Sequence, residues 1–254
     1  MTRRLIFTVD LDRDVNIEVD GSRAAGSIDR GQGTAPRFES AEKGLEILLD
    51  ILHNYGIKAT FFVEGHTAEV LDCSVLADHC VGFHGYDHED MTKLGPDDLR
   101  EVMEKGYSAV KDNLKAPTCF RAPFMQMSDQ VYGELGRLGI KHDSSVYADP
   151  GKRPYEVSGV TEHPVAKGKD LRGKNIAAYL WPMHEGKREP SDYLSLARSV
   201  GDGDLVLGTH SWHMVESRDK GIMTWAEMEH NKKAVEQTLK LIIDEGFEPA
   251  TIIE

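Results

Sequence analysis

SAEKGLEILLDILHNYGIKATFFV, residues 40–63, is a helix, a stop and a strand in succession. Leu45, Leu48, Leu49 and Leu52 recur at helical spacing, so one face of Ser40 to Tyr55 is apolar, with Ser40 the expected cap. Gly56 stands where a left-handed residue ends a helix, and Lys58 to Val63 then reads as a strand. The same punctuation recurs outward from this unit. Helices are expected over Pro96 to Leu114, Ser128 to Leu138 and Trp225 to Glu245, the last two stopping near Gly139 and Gly246. Further strands are expected at Arg4 to Asp10, Cys80 to Phe83, Cys119 to Arg121, His142 to Asp143, Ile176 to Leu180, Leu205 to Leu207 and Glu248 to Ile253. Strands alternating with helices predict an α/β fold, and seven or so parallel strands suggest a barrel. At 254 residues the chain fits one such domain, 1–254. Arg13 to Phe38, rich in glycine, reads as a long loop over the mouth of a site near Asp10, and Arg153 to Arg172 as a second irregular stretch.

A formal net charge of −13 argues against nucleic acid and anionic lipid as partners, since both need clustered Lys and Arg. No run of about 18 apolar residues is present, so no membrane span is expected. The apolar stretch Leu5 to Val9 is cut short by Asp10 and Asp12, which does not fit a signal peptide and leads to an expected cytoplasmic location. Cys73, Cys80 and Cys119 form no CxxC pair and read as reduced, buried thiols. A homo-oligomer is compatible with the sequence.

Two clusters carry chemistry. Asp10 and Asp12 sit two apart at the end of an apolar strand, where side chains share a face. His84 and His88 follow the run Val81 to Phe83 and are four apart, one helical turn, so that two imidazoles could reach one metal. Two imidazoles and one carboxylate make a three-ligand site with positions open for water and substrate, and the second carboxylate is then free to take a proton. Zn²⁺ is the expected ion; Co²⁺, Ni²⁺ or Fe²⁺ suit the same donors.

In their order these motifs resemble the polysaccharide deacetylases, the NodB-like family related to carbohydrate esterase family 4. The resemblance runs from Asp10 and Asp12 through Ala59-Thr60-Phe61-Phe62-Val63 and the His84/His88 pair. It continues through Phe120-Arg121-Ala122-Pro123-Phe124 and His142-Asp143-Ser144-Ser145 to Leu207-Gly208-Thr209-His210. It implies a distorted (β/α) barrel and a metal-dependent hydrolase cleaving an amide, with N-deacetylation of an acetylated amino sugar or oligosaccharide foremost. Asp10 would be the general base, Asp12, His84 and His88 the metal ligands, and Arg121 the tether of Asp10. Asp143 would orient and charge His210, the acid that protonates the departing amine. Pro123, Phe124 and Trp212 would contact substrate, with a backbone N–H near Pro123 facing the oxyanion.

Asp10-Leu11-Asp12 stands where adjacent aspartates are commoner, and the chain is similar to a subgroup with peptidoglycan deacetylase-like and allantoinase-like members. The alternatives are therefore a cyclic imide or ureide hydrolase and an inactive carbohydrate-binding homologue. Asp14 is a reserve ligand and His213 a reserve acid. His66 is a wall candidate, while Trp181 and Trp225 are read as core.

Overall fold

A computed structural model describes residues 2–14, 35–218 and 220–254; most of the loop expected from Arg13 to Phe38 lies outside them. A nine-stranded sheet is built from β1 (Arg3–Leu11), β2 (Thr60–Val63), β3 (Cys80–Phe83), β4 (Cys119–Phe120), β5 (His142–Asp143), β6 (Tyr155–Val157), β7 (Val160–Glu162), β8 (Leu205–His210) and β9 (Phe247–Ala250). The strand order is β8-β1-β2-β3-β4-β5-β7-β6, with β9 also on β1. Pairing is parallel throughout except between β6 and β7. One edge of β1 is shared: Arg3 to Ile6 pair with β9 and Thr8 to Leu11 with β2. The sheet is thus a curled, incompletely closed (β/α) barrel. Strands β1, β2 and β8 are buried on both faces, Leu5, Ile6, Phe7, Phe61, Phe62 and Leu207 all at 0% exposure, which is why they read as continuous apolar runs.

Helices α1 (Glu39–Tyr55), α2 (Gly65–Val70), α3 (Pro96–Asn113), α4 (Asp129–Arg137), α5 (Trp181–His184), α6 (Pro190–Ser199) and α7 (Trp225–Asp244) cover the sheet. Gly56, Gly139 and Gly246 all take left-handed backbone after α1, α4 and α7, as their positions predict. Ser128 and Thr224 cap α4 and α7 by accepting the Val131 and Glu227 N–H groups. No described helix is long and apolar enough to cross a membrane.

Three readings are corrected. Ser40 is inside α1 rather than its cap; the Asp14 carboxylate takes the N–H groups of Ser40 and Ala41 at 2.9 and 2.8 Å, while the Ser40 hydroxyl donates to Glu216. Arg153 to Arg172 is not irregular: it holds β6, β7 and Val165–Lys169, strands too short for a period to show. The strand expected at Ile176 to Leu180 divides, because Asn175–Ala177 pairs with Val165–Lys169 in a small separate sheet whereas Tyr179 bridges to Gly208 of β8.

Its role as a cap separates Asp14 from the metal set. Asp14→Ala is expected to lower stability by about 1 kcal/mol with metal content unchanged, read by chemical unfolding beside elemental analysis. Burial raises the Asp14 carboxyl to about 7, above its unfolded value. Its contribution to stability is therefore fully present at low pH and is lost as pH rises through about 7, so the cost of the substitution shrinks on the alkaline side.

Candidate active site and metal centre

Parallel pairing places the carboxyl ends of the strands on one rim, where (β/α) barrels carry their chemistry. Asp10 pairs in register with His210 of β8 and with Phe62 of β2, while Phe120 pairs with Asp143 of β5. His84 and Arg121 immediately follow β3 and β4, and Asp12 follows β1.

Asp12, His84 and His88 are buried, and one donor atom from each lies within 4.8 Å of the others. The four-residue spacing of the histidines is not helical as expected. His88 lies on a loop after β3, turned by Gly85 at φ 73° and by His88 itself at φ 58°, a conformation costly for a residue with a side chain. The His84 ring is fixed by a 2.7 Å bond from Nδ1 to the Arg121 carbonyl; a carbonyl only accepts, so Nδ1 carries the hydrogen and Nε2 presents a lone pair. That Nε2 and both Asp12 carboxylate oxygens are buried without a hydrogen-bond partner, and His88 Nε2 stands 3.5 Å from Asp12 Oδ2. Burial, then the negative charges of Asp10, Glu64 and Asp14, push the Asp12 carboxyl well above the ordinary range, and burial holds His88 well below its own. A buried acid facing two neutral imidazole lone pairs fits a divalent cation, which supplies the missing charge.

Asp10 is set differently. Its Oδ1 accepts from Arg121 Nη1 at 2.9 Å and its Oδ2 from the Tyr179 hydroxyl. Burial would raise its pKa, but Arg121, His84, His210 and the Tyr179 hydrogen bond outweigh it and the pKa is lowered. Arg121 is fully buried, and its remaining donors go to Thr8 Oγ1 at 2.8 Å, the Ser144 carbonyl at 2.7 Å and Ser144 Oγ at 3.0 Å. Asp10 is therefore an ionised carboxylate held in one orientation, and His210 Nε2 lies 3.8 Å from its Oδ2.

Asp143 is not brought to His210. Its Oδ1 accepts from Ser145 Oγ at 2.7 Å, and burial and the adjacent Glu162 drive its pKa well up, which makes it one half of a carboxyl pair under the Ser145 turn. Trp212 is fully buried and stacked on His213 at 4.2 Å rather than on the cavity wall. The turn after β8 folds it inward beneath α1, whose Gly44 lies so close to the Ser211 carbonyl that a Cβ there would clash with it. Pro123 is buried, while its neighbours Ala122 and Phe124 face the cavity. His66 stacks on Tyr86 and contacts Asp87 at 2.8 Å instead of lining the site.

The cavity, about 310 Å³, is lined by Asp10, His84, His88 and His210 on one side and by Trp181, His213 and Arg218 among others. The sequence reading missed Tyr179, Trp181 and Arg218. Tyr179 had a signal, a hydroxyl at the end of an expected strand; Arg218 had none. Tyr179→Phe is expected to lower kcat/KM by about tenfold, the usual scale of one charged hydrogen bond. Loss of the hydroxyl raises the Asp10 pKa, so the acidic limb of the pH profile moves to higher pH; an unmoved limb removes Tyr179 from the base.

Residues 28–142 match the family model of the polysaccharide deacetylases. The chain is 33% identical over 112 residues to the peptidoglycan deacetylase of Helicobacter pylori, covering 42% of this chain and 38% of that protein, so it spans well under half of that relative's length. Among solved structures, a family 4 carbohydrate esterase from Streptomyces lividans in complex with acetate superposes with TM-score 0.57 at 14% identity, over 98% of this chain and 93% of that one. A carbohydrate esterase family 4 pseudoenzyme from Bacillus anthracis superposes with TM-score 0.58 at 16% identity, over 99% of this chain and 64% of the other. The fold is that of the NodB-type barrels. Over residues 28–142 the chain is similar to the polysaccharide deacetylases.

Proposed function

We propose that the chain is a metal-dependent hydrolase that removes the acetyl group from an N-acetylated amino sugar or oligosaccharide. The observation that carries this reading is the ionised Asp10, tethered by Arg121 and Tyr179 beside three buried donor atoms that lie within 4.8 Å of one another. Asp12, His84 and His88 would hold the ion, Zn²⁺ first among the divalent metals. When bound, such an ion lowers the pKa of water and polarises a carbonyl. Asp10 takes the proton from the attacking water, its two tethers keeping the carboxylate aimed at it. The Phe124 N–H, next to Pro123, is the donor offered to the developing oxyanion. His210 lines the cavity and burial lowers its pKa, so it rests neutral; its Nε2, 3.8 Å from Asp10 Oδ2, would receive the proton that Asp10 takes from water and pass it to the leaving amine.

The fold alone does not bring activity, as the pseudoenzyme shows, but this chain keeps base, tether and ligands together. Opening of a cyclic amide uses the same chemistry; the relative's name, peptidoglycan deacetylase, favours deacetylation. The test is to load the metal-free protein with Zn²⁺, Co²⁺, Ni²⁺ or Fe²⁺ and assay acetylated amino sugars and cyclic amides for acetate and ammonia. Acetate release that requires the ion is expected; a ring-opened acid without acetate would overturn the reading.

A further inference from the structure

Behind the tether of Asp10 lie two carboxyls that do not line the cavity. Asp143 of β5 and Glu162 of β7 pair in register, and both side chains are fully buried. Glu162 Oε1 accepts the N–H groups of Ser145 and Val146, each at 3.2 Å, and its Oε2 accepts from the Tyr132 hydroxyl of α4 at 3.0 Å. Asp143 Oδ1 accepts from Ser145 Oγ at 2.7 Å, while Asp143 Oδ2 is buried without a donor. Two adjacent anions in such a place would repel each other strongly, so one proton is held between them. Burial, then the charge of Glu162 and a hydrogen bond to it, raise the Asp143 pKa well above the ordinary range, which puts that proton on Asp143 Oδ2.

The turn that this pair braces is the one that holds the catalytic side. Arg121 donates through Nε to the Ser144 carbonyl at 2.7 Å and through Nη2 to Ser144 Oγ at 3.0 Å, which leaves Nη1 aimed at Asp10. The Ser145 hydroxyl, spent as a donor on Asp143, accepts the Ala122 N–H at 2.8 Å, and Ala122 lines the cavity two residues before Phe124. We infer that Asp143 and Glu162 form a positioning pair joined by one proton, which fixes the turn at Ser144 and Ser145 and through it both the Arg121 tether and the segment from Ala122 to Phe124. The inference rests on the deacetylase reading, in which Asp10 is the base, and gives Asp143 a task other than charging His210. Its consequence is an alkaline limit. The groups facing the pair are Tyr132 from α4, Tyr155 from β6 and the Arg121 cation that follows β4. Burial lifts both phenols further above their ordinary range, so the pair itself is what titrates first. A carboxyl whose folded pKa is raised stabilises at low pH and loses that contribution as pH rises through the folded pKa. When Asp143 ionises, like charges meet and the turn gives way.

Glu162→Ala strips Ser145, Val146 and Tyr132 of their acceptor. In the zinc-loaded full chain it is expected to lower kcat on acetylated amino sugars by about a hundredfold, the scale of a displacement of about 1 Å at a reacting group, with KM little changed. Glu162→Gln is the rescue. Its amide oxygen still accepts from Ser145 and Val146 and its amide N–H donates to an ionised Asp143, so kcat should return toward the native value. The alkaline fall of native kcat/KM should then disappear, which a merely structural role would not produce. Exchange of the Arg121 Nε–H and the Ala122 amide, followed by nitrogen-15 NMR at matched pH, reads the turn without any turnover. It should be faster in Glu162→Ala and native-like in Glu162→Gln. If Glu162→Ala does not fold, Ser145→Ala, which cuts only the link from Asp143 to Ala122, takes its place with the Ala122 amide as readout. Accelerated exchange in the variant, with no acetate released by the native chain, leaves the pair standing and ends the deacetylase reading. Native exchange and native kcat in the folded variant, or an alkaline fall kept in full by Glu162→Gln, overturns the pair.

Discussion

Asp10→Asn is expected to keep its metal and lose about three orders of magnitude in kcat, within the range that a positioned general base contributes. The asparagine side chain has almost the same shape. Its amide oxygen can still accept from Arg121 Nη1, and the three neighbouring donors are untouched. What disappears is a negative charge able to take a proton. Elemental analysis should find one ion per chain in both proteins while acetate release collapses in the variant. The pH dependence supplies an independent check. Because Arg121, His84, His210 and Tyr179 hold the Asp10 pKa below its unfolded value despite burial, the native enzyme should stay active well into the acid range and fail only as Asp10 protonates. The same sign holds for stability: the contribution of Asp10 is present above its unfolded pKa and is lost as pH falls through the folded one. Full turnover in Asp10→Asn would end the assignment.

The barrel was legible because its punctuation is local. Gly56, Gly139 and Gly246 mark helix ends through backbone conformation alone, and β1, β2 and β3 are apolar runs bounded by turns. The candidate metal set was legible for another reason: Asp12 and His84 directly follow strand ends, His88 comes four residues after His84, and all parallel strand ends share one rim. What could not be read depends on contacts distant in the chain. Glu185 meets His213 from 28 positions away, and Asp14 meets the start of α1 across a stretch with no period. Trp212 looked like a wall residue because it neighbours His210 in sequence. The turn after β8 reverses that order in space: it buries Trp212, and the tryptophan that lines the cavity is Trp181, from a helix of four residues. The partnership of Asp143 with His210 failed similarly. β5 pairs with β7, so Glu162 rather than the last-motif histidine is the neighbour of Asp143.

Asp12→Asn is expected to abolish high-affinity zinc binding and, with it, turnover, yet to leave the metal-free protein no less stable. The asymmetry follows from burial. In the absence of a cation the Asp12 carboxyl is held well above its unfolded pKa by desolvation and by Asp10, Glu64 and Asp14. A carboxyl whose folded pKa is raised contributes stability at low pH and loses it as pH rises through that pKa. The metal-free native protein should therefore melt at progressively lower temperature on the alkaline side, and the neutral asparagine should weaken that trend. Zinc reverses the order. An ion at a hundred times its dissociation constant stabilises a folded protein by about 2.7 kcal/mol, so the native melting temperature should climb on adding zinc, and the variant's should not. Melting curves at pH 6 and pH 8, each with and without zinc, contain the whole comparison. A zinc-dependent rise of equal size in both proteins would show that the ion binds elsewhere, and would leave the two histidines without the carboxylate that the geometry sets between them.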